Sequence, residues 1–240
     1  MIQLPFPVRC VLFDLDGTLA DTAADLAAPI QAMRLNRGLA PMAFSELRPF
    51  ASMGARGLIG QGLGVAKESA EFPSLRDEFL ARYEENICVQ TTLFPGVAEL
   101  LTQLDERKIA WGIVSNKIER YVKLLAKALN LEARATCLVG GDSTATPKPH
   151  PAPLLLGATL SHFEPQHCIY VGDDHRDVQA GQAAQMRTVA AAYGYNGASD
   201  PASLWGADFL IDTALELMPW IDKLNAQSSR INGRQADLRR

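Results

Sequence analysis

Short apolar runs separated by amphipathic stretches set the plan of this chain. The runs begin at Cys10-Val11-Leu12-Phe13 and recur at Ile109–Val114 (IAWGIV), Ala135–Val139, Cys168–Val171 (CIYV), Thr188–Ala192 and Asp208–Ile211. Apolar segments of this length, bounded by turn residues, predict buried strands. Between them, residues 97–107, 118–129, 152–160, 177–185 and 214–224 read as helices. The stretch from 21 to 92 breaks the alternation. Residues 22–37 carry Leu26, Ile30, Met33 and Leu35 at near-helical spacing, with Pro29 placed to bend that helix. Residues 74–87 align Leu75, Phe79, Leu80 and Tyr83 on one side, and no strand is predicted anywhere in the block.

Strands that alternate with helices predict a parallel sheet covered on both faces. The expected fold is therefore α/β, a Rossmann-like parallel sheet core with an inserted α-helical domain. Its expected parts are a core over 1–20 and 93–224, a helical insert over 21–92, and a tail over 225–240 without fixed structure. The tail reading rests on composition: residues 223–240 hold four Arg, one Lys and one Asp, with few large apolar residues. In such sheets ligands bind beyond the carboxyl ends of the strands. The polar groups of interest fall there: Asp14 and Asp16, Ser115 and Asn116, Lys148 in a nearby loop, and Asp173.

The first strand ends in Asp14-Leu15-Asp16-Gly17-Thr18. Side chains two apart on a strand share a side, so Asp14 and Asp16 are expected to converge, and like charges that close repel. A hard divalent cation with oxygen ligands, Mg²⁺, resolves the repulsion. The competing reading is a surface turn with two solvated aspartates.

Composition narrows the classes. The chain has 240 residues, 48% of them hydrophobic and 21% charged, with a formal net charge of -4. That balance argues against a nucleic-acid binder or an anionic-membrane binder, and no run approaches the roughly 18 apolar residues of a membrane span. The expected location is cytoplasmic, with Cys10, Cys88, Cys137 and Cys168 as reduced thiols, since none forms a C-x-x-C pair. His150, His162, His167 and His175 lack zinc-site spacing. The glycine cluster at 57–64 lacks the G-x-x-x-x-G-K-[ST] order of a phosphate cradle, so close helix contact or a hinge explains it better.

Taken together, Asp14-Leu-Asp16-Gly-Thr, Ser115-Asn116, Lys148-Pro149 and Gly172-Asp173-x-x-x-Asp177 resemble the four motifs of the haloacid dehalogenase superfamily, in order and spacing. Within it the resemblance is to phosphatases of phosphoglycolate and of N-acetylmuramic acid 6-phosphate. The resemblance implies a Mg²⁺-dependent phosphomonoesterase with a mobile cap, here the helical insert. It implies Asp14 as nucleophile and Asp16 as acid and base, with metal ligands from Asp14, Asp16 (through its backbone carbonyl) and Asp173. Asp177 would stand behind the ligands, with Asp174 the weaker match. Ser115, with the Asn116 backbone, and Thr18 would contact the phosphoryl group, and Lys148 would offset charge on it and on Asp14. Arg56, in Gly54-Ala55-Arg56-Gly57, would either meet the leaving group or lie solvated on a helix; Lys117 is left open between a site residue and a solvated one. Two departures from the family pattern are Ile118, where relatives often have proline, and Gln185, where a glycine usually ends the helix. The expected partner is a small phosphorylated metabolite, with no nucleic acid or membrane, and the chain a monomer or homodimer. A hexose-phosphate mutase and a phosphoacceptor signalling module are the competing functions.

Overall fold

The strand that carries Asp14 lies inside the sheet. In the computed structural model, which describes residues 6–196 and 200–237 (side chains of the last helix through Arg230), β1 (Cys10–Phe13) pairs in parallel with β4 (Ala110–Val114) on one side and β6 (Cys168–Gly172) on the other. The parallel sheet continues outward to β5 (Leu138–Val139) and, beyond β6, to β7 (Arg187–Ala191) and β8 (Phe209–Ile211), in the order β5-β4-β1-β6-β7-β8. Phe13 is level with both Ile113 and Val171, so three strands end side by side and present their next residues to one crevice.

Alternation along β1 feeds two cores. Val11 and Phe13 join Ile113, Ile169 and Val171 under α5 (Val97–Glu106), α6 (Glu119–Ala128) and α9 (Leu217–Asp237). Leu12 points the other way, with Val114 and Tyr170, onto α7 (Ala152–Leu160) and α8 (His175–Ala183). Burial of each large apolar side chain stabilises by about 1.5–3 kcal/mol. A continuous apolar strand is the form this double covering requires.

The helical insert leaves and rejoins the core through two short strands, β2 (Ala20–Asp21) and β3 (Thr92–Leu93), which pair antiparallel. Between them lie α1 (Ala23–Asn36), α2 (Phe44–Leu47), a 3₁₀ segment Arg48–Met53, α3 (Gly54–Leu63) and α4 (Phe72–Glu85). The glycine-dense stretch is helix α3, packed closely on α1: a Cβ on Gly62 would sit 2.2 Å from Ile30 Cγ2. Pro29 lies within α1 without ending it. Two-residue strands carry too little pattern to be seen in sequence.

Asp25 pins the return path. This buried carboxylate of α1 accepts hydrogen bonds from Val89 N (2.9 Å), Gln90 N (3.0 Å), Thr91 N (2.8 Å) and Thr91 Oγ1 (2.7 Å). Asp25→Ala should lower stability by about 3 kcal/mol, because several charge-assisted bonds are lost at once. Urea unfolding measures it; a loss under about 1 kcal/mol would mean water replaces the carboxylate freely.

The expected unstructured tail is corrected. Helix α9 runs on to Asp237, and residues 238–240, like residues 1–5 of the expected core, lie outside the described residues. Asn225 explains the order at residue level: its Oδ1 accepts from Val8 N at 2.7 Å and its Nδ2 donates to Val8 O at 3.3 Å. A polar side chain here substitutes for a strand partner. Composition alone reads such residues as solvated.

Candidate active site

The ladder of β1 extends one residue past the strand, since Asp14 N donates to Val171 O at 2.9 Å. The same device sets Ser115, whose amide donates to Val139 O at 2.9 Å. Asp14, Asp173 and Asp177 converge there, with a carboxylate oxygen of each within 4.8 Å of the others. Lys148 reaches into this cluster: its Nζ lies 3.1 Å from Asp14 Oδ1 and 2.7 Å from Asp177 Oδ1. It also donates to Tyr170 Oη (2.7 Å) and Val114 O (3.3 Å). Burial alone would lower the Lys148 pKa, but Asp14 and Asp177 outweigh it and the net shift is upward, so the group stays an ammonium.

Asn116 holds the Lys148 loop instead of presenting its side chain to a ligand. Its Oδ1 accepts from Lys148 N at 2.9 Å and its Nδ2 donates to Lys148 O at 3.0 Å. Thr18 likewise turns inward, donating from Oγ1 to Asp173 Oδ1 at 2.8 Å. Tyr170, which the sequence reading passed over as a core residue, is part of the site. Burial and the neighbouring carboxylates keep its hydroxyl neutral, and it donates to Val114 O at 2.6 Å. A polar-tipped aromatic in an otherwise apolar strand was the available signal.

Asp16 departs from expectation. Its carboxylate is not in the acidic cluster but pairs with Lys117 Nζ (2.9 and 3.2 Å) and accepts from Thr22 Oγ1 (2.5 Å). Strand alternation fails as a guide here because the strand ends at Phe13. Past it, the amides of Leu19 and Ala20 fold back onto Leu15 O, and Gly17 takes φ +87°, a left-handed turn suited to glycine. Asp177, expected to stand behind the ligands, takes the third place beside Asp14 and Asp173. Lys117 is not solvated either: it is 8% exposed and lies 4.7 Å from the ring centroid of Tyr83, an α4 residue.

The cluster's charge suits a divalent cation. Three buried carboxylates face one ammonium, and burial with the repulsion of Asp14 and Asp177 pushes Asp173 well above the ordinary aspartate range. Burial pushes Asp177 up to about 7, against the pull of Lys148. Glycines make the cradle tight: a Cβ on Gly17 would lie 2.2 Å from Asp173 Oδ2, and one on Gly172 2.2 Å from Asp177 Oδ2. An all-oxygen donor set of this kind fits Mg²⁺. Above the cluster opens a cavity of about 580 Å³, floored by Asp14, Ser115 and Lys148 and walled by Ser52, Met53 and Arg56 of the insert. Arg56 therefore faces the site region, though its side chain is exposed.

Comparison with known proteins agrees with this geometry. The family model described as haloacid dehalogenase-like hydrolase matches residues 11–191. The chain belongs to this family. It is 40% identical over 215 residues to an N-acetylmuramic acid 6-phosphate phosphatase of Pseudomonas putida, covering 90% of this chain and 96% of that one. It is 43% identical over 213 residues to a phosphoglycolate phosphatase of Xanthomonas campestris pv. campestris, covering 88% and 95%. A crystal structure titled as a predicted phosphoglycolate phosphatase from Haemophilus somnus 129PT superposes with a TM-score of 0.77 at 27% identity, over 91% of this chain and 98% of that one. This haloacid dehalogenase-like hydrolase is a phosphatase. Among its described residues no helix is long and apolar enough to cross a membrane.

The acidic cluster makes a pH prediction for the hydrolase in chelator. Above the ordinary aspartate pKa of about 4, the folded chain holds protons on Asp173 and Asp177 that the unfolded chain has released. Stability contributed by these groups is therefore lost as pH rises, through the Asp177 value of about 7. Excess Mg²⁺ should flatten that slope in thermal unfolding. An identical slope with and without Mg²⁺ would show that the ion does not enter this cluster.

Proposed function

We propose that this phosphatase hydrolyses the phosphomonoester of a carboxylated sugar, N-acetylmuramic acid 6-phosphate, through an aspartyl-phosphate on Asp14. An Asp14 oxygen attacks phosphorus in line, the ester bond breaks, and Asp16 gives its proton to the departing alkoxide. Water then attacks the aspartyl-phosphate and passes a proton to Asp16, which frees Asp14 and releases inorganic phosphate. Lys117 Nζ and Thr22 Oγ1 hold the Asp16 carboxyl in place for both transfers. Lys148 keeps its ammonium beside Asp14 and offsets negative charge on the transferring group. Ser115 Oγ donates to a phosphoryl oxygen.

Mg²⁺ would be held by Asp14 and Asp173, with the Asp16 carbonyl, and by Asp177 directly or through water. When bound it offsets the negative charge that an anionic phosphate presents to an anionic nucleophile. The insert acts as the cap that keeps bulk water from the acyl phosphate.

The observation that carries the choice of substrate is the cavity. At about 580 Å³ it lies within the size range of sites that enclose whole small molecules, and a two-carbon acid phosphate would leave most of it to water. An amino-sugar phosphate would use more of that space, and Arg56 on the cavity wall offers a partner for its carboxylate. The deciding experiment is Mg²⁺-dependent phosphate release from N-acetylmuramic acid 6-phosphate and from 2-phosphoglycolate, compared by kcat/KM. A preference for 2-phosphoglycolate overturns the sugar assignment. Arg56→Ala should lower kcat/KM on the sugar phosphate by about 10- to 100-fold and on p-nitrophenyl phosphate by less than about threefold. Equal losses would place Arg56 outside the leaving-group site.

A further inference from the structure

The 3₁₀ segment Arg48–Met53 joins α2 to α3 and is gripped at both ends by core residues. At its start, Arg48 Nη1 lies 2.8 Å from Asp21 Oδ1, and its guanidinium carbon sits 4.8 Å from the ring centroid of Tyr195. The Tyr195 hydroxyl donates to the same Asp21 oxygen at 2.8 Å and accepts from Thr22 N and Ala23 N, at 2.7 and 2.9 Å, where the insert begins. The Tyr195 amide donates to Asp173 Oδ2 at 2.8 Å. One residue thus touches both the acidic cluster and the start of the insert.

The far end is held by Arg176. Its Nη2 donates to Ser52 O at 3.1 Å, across the boundary between core and insert. On the core side, Nε and Nη2 form a fork on Asp174, at 2.7 Å to Oδ1 and 2.6 Å to Oδ2. Asp174 is itself fixed: it caps α8, accepting from Arg176 N at 2.9 Å, while its own amide donates to Asp177 Oδ2 at 3.1 Å. An exposed ion pair contributes little, but a planar fork with its carboxylate locked by a helix start is preorganised. Two residues beyond Ser52, Gly54 takes φ 57° and ψ -148°, a region open essentially to glycine alone. Arg56 follows in the first turn of α3. The place of Arg56 is therefore set by the Ser52 carbonyl and the Gly54 turn.

We propose that Arg176 and Tyr195 are positioning residues for leaving-group recognition, clasping Arg48–Met53 onto the residues that border the acidic cluster so that Arg56 faces the substrate. The role of Arg56 is taken from the function proposed above; the clasp itself rests on the contacts just described. Because the Tyr195 amide reaches Asp173 and the Asp174 that holds Arg176 reaches Asp177 through its own amide, the cap segment and the strand-end site are aligned as one unit.

The test uses Arg176→Met and Tyr195→Phe in the full-length enzyme, with the better sugar or acid phosphate and p-nitrophenyl phosphate as probes. Each variant should lower kcat/KM on the former by about 10- to 100-fold, chiefly through KM, and on p-nitrophenyl phosphate by less than about threefold. Hydrogen exchange of residues 48–56 should rise in both variants while that of β1 stays unchanged. Arg176→Lys should not restore recognition, since a single ammonium cannot span Asp174 and Ser52 as a fork does. In an Arg56→Ala background, Arg176→Met should add less than about threefold, because the two act as a unit. Equal losses on both probes, or unchanged exchange at 48–56, would overturn the clasp. If Arg56→Ala affects neither probe, the Arg56 assignment fails and the exchange measurement alone decides the clasp.

Discussion

Asp14→Asn should reduce phosphate release by at least about 10⁴-fold while the chain stays folded. Asparagine keeps the shape of the side chain but is a poor nucleophile toward phosphorus, so the covalent route closes. The fold should not suffer, and in chelator it should gain. Asp14 is one of three buried carboxylates, and its charge is among the causes that raise Asp173 and Asp177. Removing that charge relieves both neighbours, and Lys148 keeps Asp177 and Tyr170 as partners. Thermal unfolding in chelator should therefore rise relative to the unaltered chain, and the further rise produced by Mg²⁺ should shrink. Activity within about tenfold of the unaltered enzyme would remove Asp14 as nucleophile. A variant less stable than the parent in chelator would mean that the cluster is not strained by like charge.

The strand-end site was legible in sequence because polar or charged residues interrupt apolar runs abruptly there, at Asp14, Ser115 and Asp173. What lay beyond the run was harder. The direction of the Asp16 side chain depends on a turn at Gly17, where strand alternation no longer applies. The partner of Lys117 is 101 residues away in sequence, so its burial had no local signature. Thr18 was read as orienting the phosphate, yet its hydroxyl serves Asp173, and the Asn116 side chain, for which the sequence suggested no task, holds the Lys148 loop while its backbone keeps the expected place beside Ser115. The same polar types supply either service, and only the fold distinguishes them. Gln185 shows the reverse case: it takes the left-handed φ of 59° that a glycine would adopt more cheaply, so the turn after the helix forms without a glycine. Arg176 sits within the fourth motif, but its contact with Ser52 crosses 124 residues and belongs to the tertiary structure alone.

Lys148→Met is the second large effect, and it should fall on stability and rate together. The Lys148 side chain is 2% exposed and its ammonium stands against Asp14 and Asp177 at 3.1 and 2.7 Å. Methionine fills much of the same volume but supplies no positive charge, leaving three carboxylates uncompensated in a buried site. Breaking one partner from such a group costs about 3–5 kcal/mol. Part of this cost is avoided if the carboxylates bind protons instead. The deficit should therefore be smallest in acid and grow as pH rises through the range where Asp177, already pushed up to about 7, loses its proton. Urea unfolding in chelator at pH of about 5.5 and about 8.5 separates the two regimes. Mg²⁺ should return part of the stability, since a divalent ion compensates the same charges, but not the rate. Turnover should remain down by about 10³-fold, because the ammonium is aimed at the group being transferred. Equal stability of the variant and the parent near pH 8.5 would show that Lys148 does not neutralise this cluster. Full recovery of rate with Mg²⁺ would assign it a purely structural part.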